Sequence, residues 1–598
     1  MSGGGSEDRV RFGDLLRGVL ATLPEAPRLP RGVLNMALAQ PERRQSIGSR
    51  LEHWARVAPQ RVALRFEGRD WTYAEFNAEA NRLAHRLRAD GIRAGDAVGV
   101  LMENRAETLL RVAGIVKLGA VAAMLNHQQR GEVLAHSLKI TSVRRLIVGA
   151  ECREAFESVD LGGLPVDWDG PGPRPPHSRD LPAALAGQPV DNPAETAAVQ
   201  LKQSAFYIFT SGTTGLPKAS RMTHLRWIRG MAGLGQLALR LREDDVFYCC
   251  LPLYHNNALT VSWGAVLGAG CTLALSRKFS ASRFWDEIRS SGATAFCYIG
   301  ELLRYLLNRP EHPRDREHAV RLIVGNGLRP ELWERFETRF GITRIHEFYG
   351  ASESNAAFVN GFGLKRTAGY CPLSFAVVAY DPDEERPLRD GRGFLRKVAA
   401  GETGLLIIEV SDHTPFDGYT DAQASEKKLL RDVFKKGDCW FDSGDLVRNQ
   451  GWRHIAFVDR VGDTFRWKGE NVATTEVEGA LNRFPGVEQA VVYGVEVPGC
   501  DGRAGMAALS LSGALDGAAL AAHLRRELPA YAVPLFLRLR AEQTLTGTFK
   551  FRKVDLKREG FDRRRIEDPL WVLLDPALGY EPLTTAAWQA ILAGEQRF

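Results

Sequence analysis

The stretch Thr210-Ser211-Gly212-Thr213-Thr214-Gly215-Leu216-Pro217-Lys218, entered from Ala205-Phe206-Tyr207-Ile208-Phe209, decides how this chain is read. The apolar, aromatic-rich entry predicts a buried strand. Two glycines, four hydroxyls and a lysine behind a proline follow it, a loop able to turn backbone N–H groups, hydroxyls and one ammonium toward a polyphosphate. It is not a kinase-type phosphate loop, because its glycines are three apart rather than five and no Ser or Thr follows Lys218. Taken alone, a match this short reads more readily as a solvated turn between a strand and a helix. Its partners downstream decide against that.

The bulk composition narrows the setting. At 598 residues the chain exceeds one compact core, so two or more domains are expected. A hydrophobic content of 44% and a charged content of 25% are those of a globular protein. The net charge of +6 is small for the length and argues against a nucleic-acid binder. Eight cysteines lack CxxC spacing, which fits reduced thiols better than a disulfide framework or a zinc site. Met1 to Ser6 carries no secretory pattern, and the longest apolar run, 263–275, is too short to span a bilayer. A cytoplasmic location is expected, with peripheral attachment at the inner membrane face left open.

Along the chain, Phe12, Leu15, Leu16, Val19, Leu20 and Leu23 recur at helical spacing among Arg9, Arg11 and Arg17. This amphipathic helix suits a membrane surface or packing on its own domain. Residues 1–48 are assigned to this N-terminal segment. From residue 49 helix-like and strand-like segments alternate, with helices at 75–89 and 108–118 and a strand at 97–102, the pattern of a layered α/β domain. Residues 161–195, rich in Pro, Gly and Asp, read as an extended surface connection. A second α/β stretch reaches Tyr349, and a Gly- and Asp-rich, more β-like region continues through Trp467. A separate C-terminal pattern follows, with helices at 475–484 and 518–528 and a strand at 490–495. The expected fold class is therefore α/β: a large N-terminal domain of layered α/β subdomains plus a β-rich subdomain at 49–460, a hinge at 461–463 and a small α+β domain at 464–598.

Five further features bear on the opening loop. His255 interrupts the apolar Leu251-Pro252-Leu253-Tyr254, a place where a lone histidine is usually a satisfied core residue. Glu347-Phe348-Tyr349-Gly350-Ala351-Ser352-Glu353 ends a strand in an aromatic able to stack on a purine and a carboxylate able to hold Mg2+ between phosphate oxygens, or else in a polar turn. Asp445, after Asp442-Ser443-Gly444, is placed to accept ribose hydroxyls. Asp459-Arg460-Val461-Gly462-Asp463 joins a charged pair to a flexible glycine at the domain border, and Lys550 ends the Thr/Gly loop 546–549.

In this order and spacing the features resemble the core motifs of the adenylate-forming enzymes: acyl-CoA synthetases, peptide-synthetase adenylation domains and luciferases. Trp71-Thr72-Tyr73-Ala74-Glu75-Phe76 is similar to their N-terminal pattern, so the resemblance covers roughly 50–555. Pro415-Phe416-Asp417-Gly418-Tyr419, the run 426–438, the stretch 460–476 and Gly325-Asn326-Gly327-Leu328-Arg329-Pro330 narrow it to the branch of fatty acid transport proteins and very-long-chain acyl-CoA synthetases. Two positions depart from the pattern. Ala219-Ser220 follow Lys218 where many relatives carry glycine, and Gly462 stands at the hinge where many carry Asp or Lys.

The resemblance implies ATP, Mg2+ and CoA as co-substrates and cofactors, and two half-reactions. A long-chain fatty acid carboxylate attacks the α-phosphate of ATP to give acyl-AMP and pyrophosphate, then the CoA thiol takes the acyl group. Thr210, Ser211, Gly212, Thr213, Thr214, Gly215 and Lys218 are expected to hold the β- and γ-phosphates. Glu353, with Thr210, is expected to place Mg2+. Tyr349 and Gly350 are assigned to adenine, Ser352 to the α-phosphate, and Asp445 and Arg460 to the ribose. Lys550 bridges the carboxylate and the phosphate, and His255 shapes the carboxylate pocket. The apolar runs 259–275 and 295–307 read as tunnel wall or as plain core. The basic run 550–553 reads as a solvated face or as a contact for CoA phosphates or lipid headgroups. Alternatives within the branch are fatty acid uptake by vectorial thioesterification, a bulky ring acid such as a bile acid, or a carrier-protein thiol as acceptor. A dimer also stays open.

Overall fold

The computed structural model describes residues 9–598 except 211–215, 382–385, 468–469, 499, 501, 542–552 and 597. Its first layer is a seven-stranded sheet. Ala97–Leu101 lies at the centre, parallel to Val121–Met124 on one side and Val143–Gly149 on the other, and Ser204–Thr210 extends the parallel set. Near-continuous Val, Ala and Leu in these strands mark a sheet covered on both faces. The helices Tyr73–Ala89 and Ala106–Lys117 are part of that cover. The first starts at Thr72, whose hydroxyl accepts from the Glu75 N–H while Glu75 accepts from the Thr72 N–H. The two helices approach so closely that a Cβ on Gly114 would lie 2.7 Å from the Ala80 carbonyl oxygen.

Residues 161–195 are not an extended surface connection. Val166–Asp169 is a buried strand parallel to Val143–Gly149, and Ser178–Asp180 adds the edge. Its two aspartates run against strand propensity, and each is held by arginines distant in sequence. Asp167 meets Arg145 at 3.1 Å and Arg179 at 2.8 Å, and Asp169 meets Arg105 and Arg111 at 2.6 Å. Composition alone hides such pairings.

The second sheet has fourteen strands. Val62–Phe66, Thr272–Leu275, Val246–Cys249, Ala295–Ile299, Leu322–Asn326 and Ile345–Tyr349 are parallel. At Ile345–Tyr349 the sense changes, and antiparallel strands continue through Phe358–Val359, Gly369–Tyr370, His454–Arg460, Cys439–Gly451 and Thr403–Glu409 to Phe375–Val378. The α/β stretch and the β-like stretch therefore share one sheet, with Tyr349 at the C-terminal end of the last parallel strand.

The N-terminal segment packs on its own domain on one side. Glu25 pairs with Arg240 at 2.5 Å and Arg344 at 2.9 Å, and Asn35 donates to Gln236 at 2.8 Å, fixing one side against the π-helix Met231–Leu239. The other side exposes Phe12, Leu16, Val19, Leu20, Leu23, Val33 and Leu34, and Phe12 lies 5.8 Å from the exposed Trp452 ring.

Beyond residue 464 a five-stranded sheet has its own apolar core. Val487–Glu496 pairs antiparallel with Arg503–Leu511, Phe536–Leu539 joins in parallel, and Leu570–Val572 and Glu581–Pro582 complete it. Helices Thr474–Asn482 and Gly517–Glu527 flank the strands. Between the sheets Gly462 adopts φ +86°, a conformation open to glycine and strained for other residues. The Lys557 ammonium holds this turn through the Gly462 carbonyl at 2.7 Å and Asp463 at 2.6 Å. Lys553 is not solvated: it meets Glu478 at 3.1 Å and the Thr474 hydroxyl at 2.9 Å.

Candidate nucleotide and acyl site

The strand carrying the opening motif does not lead into a helix. Lys218–Thr223 returns antiparallel to Ser204–Thr210, with Thr210 opposite Lys218, so Leu216 and Pro217 lead back from a hairpin tip. Ser211, Gly212, Thr213, Thr214 and Gly215 lie outside the described residues. The returning strand continues the contact outward: Ser220 bridges to Tyr419, the Arg221 N–H donates to the Gly418 carbonyl at 3.0 Å, and the Ser220 hydroxyl donates to the Ser352 carbonyl at 2.7 Å.

That contact brings Lys218 and Glu353 to the same tyrosine. The Lys218 ammonium lies 5.7 Å from the centre of the Tyr419 ring, and the Glu353 carboxylate is close enough to the Tyr419 hydroxyl to act on it electrostatically. Burial first, then the neighbouring carboxylate, raise the Tyr419 pKa, so the phenol stays protonated. Arg226 organises the same loop from below. Its guanidinium donates to the carbonyls of Ser352 at 2.8 Å and Ser354 at 2.6 Å. Burial lowers its pKa, while the charges of Asp417 and Glu353 oppose that shift. Asp417 in turn accepts from the Thr223 hydroxyl at 3.0 Å.

Tyr349, Asp445 and Arg460 form a second cluster. The Tyr349 hydroxyl donates to Asp445 at 2.6 Å, and Arg460 stands opposite Asp445 in the ladder with its side chain 3.8 Å away. Burial, then the Asp445 charge, push the Tyr349 phenol well above its ordinary value, which keeps it a donor across the neutral range. Gly350 leaves the space beside the ring open, since a Cβ there would meet only Ala357 at 3.6 Å.

His255 sits on a bend just before the π-helix Asn257–Ser262, its ring centre 4.5 Å from that of Tyr254. A short π-helix beside such a residue is a frequent mark of a functional site. The buried Asn104 holds the approach by accepting from the Leu253 N–H and donating to the Leu251 carbonyl, both at 2.8 Å. From here a polar path crosses the sheet. Asn257 donates to Asn326 at 2.9 Å, and the N–H groups of Gly327 and Leu328 donate to Glu347 at 3.1 Å. Glu347 also accepts from the Tyr298 hydroxyl at 2.6 Å and lies two residues before Tyr349 on the same strand. Burial drives the Glu347 carboxyl up to about 7 in spite of these donors.

Thr210, His255, Tyr349 and Glu353 thus stand at or just beyond the C-terminal ends of parallel strands, where ligands settle in open α/β sheets, and Asp445 and Arg460 meet Tyr349 from an antiparallel pair. Lys550 lies outside the described residues. Among the described residues no group of three His, Cys, Asp or Glu side chains forms a metal cage. Glu353 offers one carboxylate, a donor set that fits Mg2+ completed by substrate phosphates rather than by protein. Three contributors escaped the sequence reading: Tyr419, Arg226 and Glu347. Tyr419 stood inside a branch motif without a role. The signal for Arg226 was a cation beside the buried Leu225, Trp227 and Ile228 of the helix His224–Gly230, and for Glu347 a carboxylate within a buried strand.

The AMP-binding enzyme family model matches residues 51–408, and the model of the AMP-binding enzyme C-terminal domain matches 476–550. The medium/long-chain-fatty-acid–CoA ligase FadD6 of Mycobacterium tuberculosis is 50% identical over 97% of this chain and 96% of its own. Human long-chain fatty acid transport protein 1 is 41% identical over 90% of this chain and 86% of its own. The crystal structure of the anthranilate CoA ligase AuaEII in complex with anthranoyl-AMP superposes with a TM-score of 0.73 at 23% identity, covering 85% of this chain and 96% of that one, which fixes the fold. The chain belongs to the AMP-binding, adenylate-forming enzyme family, in the branch that holds fatty acid–CoA ligases and long-chain fatty acid transport proteins.

Proposed function

We infer that this protein is a medium- to long-chain fatty acid–CoA ligase that forms acyl-AMP and pyrophosphate from ATP and a fatty acid, then acyl-CoA and AMP. The observation that carries the reading is the meeting of Tyr349, Asp445 and Arg460 beside the Lys218–Tyr419–Glu353 contact, in a chain 50% identical to such a ligase. Adenylation develops charge on phosphoryl oxygens and on the departing pyrophosphate, so it needs placed cations and donors more than covalent chemistry.

In this reading Thr210, the loop 211–215 and Lys218 receive the β- and γ-phosphates, and Ser352 receives the α-phosphate. Tyr349 flanks the adenine, and its bond to Asp445 fixes the carboxylate that accepts the ribose hydroxyls, with Arg460 alongside. Glu353, beside Tyr419, offers an oxygen to Mg2+, which neutralises phosphate charge when bound. His255 shapes the carboxylate end of the acyl pocket, whose walls come from 259–275 and 295–307. Lys550 bridges the carboxylate and the phosphate. The chain divides into an N-terminal segment at 1–48, an adenylation domain at 49–460, a hinge at 461–463 and a C-terminal domain at 464–598 that turns about Gly462 between the half-reactions. No helix among the described residues is long and apolar enough to cross a membrane. The exposed apolar face at 12–34, bordered by arginines, serves as a peripheral contact with the inner membrane face.

The test is pyrophosphate release across a panel of medium- to very-long-chain acids and bulky ring acids, with and without CoA. A maximum on straight-chain acids and a CoA-dependent thioester product are expected. Preference for ring acids, or product formation independent of CoA, would overturn the substrate assignment. The 41% identity to a long-chain fatty acid transport protein favours a second reading, in which thioester formation drives uptake of the acid.

A further inference from the structure

We propose that a cavity between the large domain and the C-terminal domain is a second anion site, taking a multiply charged phosphate group and fastening the two domains together. The cavity measures about 230 Å3. Arg304, Arg329 and Arg335 line it from the large domain, and Asn482, Arg483 and Glu488 from the C-terminal domain. None of Tyr349, Asp445, Arg460 or Glu353 borders it, so it is separate from the nucleotide site.

Two groups in the lining are left wanting. Arg329 spans the boundary with one nitrogen, Nη2, 3.1 Å from Glu478 Oε2, while its Nη1 is buried and meets no acceptor among the described residues. The Asn482 side-chain oxygen is likewise buried without a partner. Turning that carboxamide over would present its NH2 group as a donor instead. A buried N–H without an acceptor is costly, and a phosphate oxygen is the acceptor that suits a guanidinium best.

The charges around the cavity sharpen the choice of ligand. Arg304 is already directed by Glu301 at 2.8 Å and by the Glu488 carbonyl, and Arg483 by Glu527 at 3.1 Å. These contacts orient the cations but leave further N–H groups, because each guanidinium carries five. Arg335 and Arg483 are exposed and stand at the rim, where they would draw an anion inward. The volume suits a phosphate or diphosphate group, and four arginines against one carboxylate in the lining favour an anion. The shared chemistry has two sources in this reaction: free pyrophosphate and the 3′-phosphate of CoA. Since both domains supply donors, the bound anion favours the domain arrangement described above over any that separates them.

Calorimetric titration of the full-length enzyme with sodium pyrophosphate tests this, beside the double variant Arg335→Gln/Arg483→Gln. Both positions are exposed, so melting curves should superpose. In the native chain two pyrophosphate ions are expected, one at the nucleotide site and one here. The variant should keep the first and weaken the second about a hundredfold, tenfold per arginine. KM for CoA and for dephospho-CoA identifies the source. A rise for CoA alone in the variant assigns the site to the 3′-phosphate, and unchanged values with the second pyrophosphate lost assign it to the free diphosphate. Glu488→Gln, which removes a carboxylate from the lining, should tighten the second event. One pyrophosphate per chain in both proteins, together with an unchanged CoA to dephospho-CoA ratio, would overturn the proposal. Such a result leaves the ligase reading intact, since that reading rests on other residues.

Discussion

Around Tyr349, Asp445 and Arg460 each side chain hangs from a strand, and the ladder that sets Asp445 opposite Arg460 also sets their reach. His255 instead leads into a π-helix, and the apolar run beyond it, from Leu259 to Ala269, lies in the large core, its side chains packed and three of its carbonyls accepting from Trp227, Trp54 and Gln236. The proposed nucleotide end is therefore built from polar side chains in strand register, while the proposed acyl end is built mainly from apolar side chains against one another. Fixed geometry serves a co-substrate that never varies, and a packed wall serves an acid whose length does.

Four substitutions would break or sharpen this contrast. Lys550→Ala should have the largest effect, slowing acyl-AMP formation by about a hundredfold or more while sparing thioester formation from supplied acyl-AMP. Equal loss in both assays would contradict the division of roles. Fatty acid uptake that persists in the same variant would favour transport without ligation. Glu353→Gln should follow, with a loss of about ten- to a hundredfold in the ATP-dependent step that extra magnesium partly restores. Gly235→Val works on the acyl side. Even a Cβ at Gly235 lies 2.7 Å from the Ala265 Cα, so the π-helix Met231–Leu239 must move away from the helix Trp263–Ala269. The expected cost is about 1–3 kcal/mol of stability, with a preference moved toward shorter acids and KM for ATP unchanged. A changed KM for ATP would show that the two ends are coupled.

Glu347→Gln should have the smallest effect, read as a melting temperature against pH. Glu347 is raised to about 7 in the folded chain against an ordinary value of 4.5, so its contribution is present in full below about 4.5 and fades as pH rises through 7. Glutamine does not titrate. The variant should therefore match the native chain near pH 4.5 and gain on it by pH 7. A constant difference across that range would mean that hydrogen bonding to Gly327 and Leu328, rather than burial of charge, governs this residue.

Much of this was legible in the sequence because the relevant residues stand in local motifs. The strand at 204–210, the aromatic and carboxylate at 349 and 353, and the pairing of Asp445 with Arg460 all lie in or between short recognisable motifs. What escaped depends on contacts across the fold. Arg226 matters because it reaches the carbonyls of Ser352 and Ser354, more than a hundred residues away. Asp167 and Asp169 sit in a buried strand of a Pro- and Gly-rich stretch because four arginines neutralise them, three of them from outside that stretch. The hairpin return of Lys218–Thr223 was hidden for a similar reason. Its far edge is completed by Tyr419, which no local pattern names as a neighbour.

Glu25 carries a practical lesson for anyone shortening this chain. Cloning from residue 49 onward would discard what resembles a dispensable leader, yet Glu25 is the counter-charge for Arg240, 4% exposed, and for Arg344. Truncated preparations would retain both guanidiniums with their acid removed, a loss on the order of 3–5 kcal/mol for a buried pair. Poor yield from such a clone would then report a missing brace rather than a faulty catalytic domain.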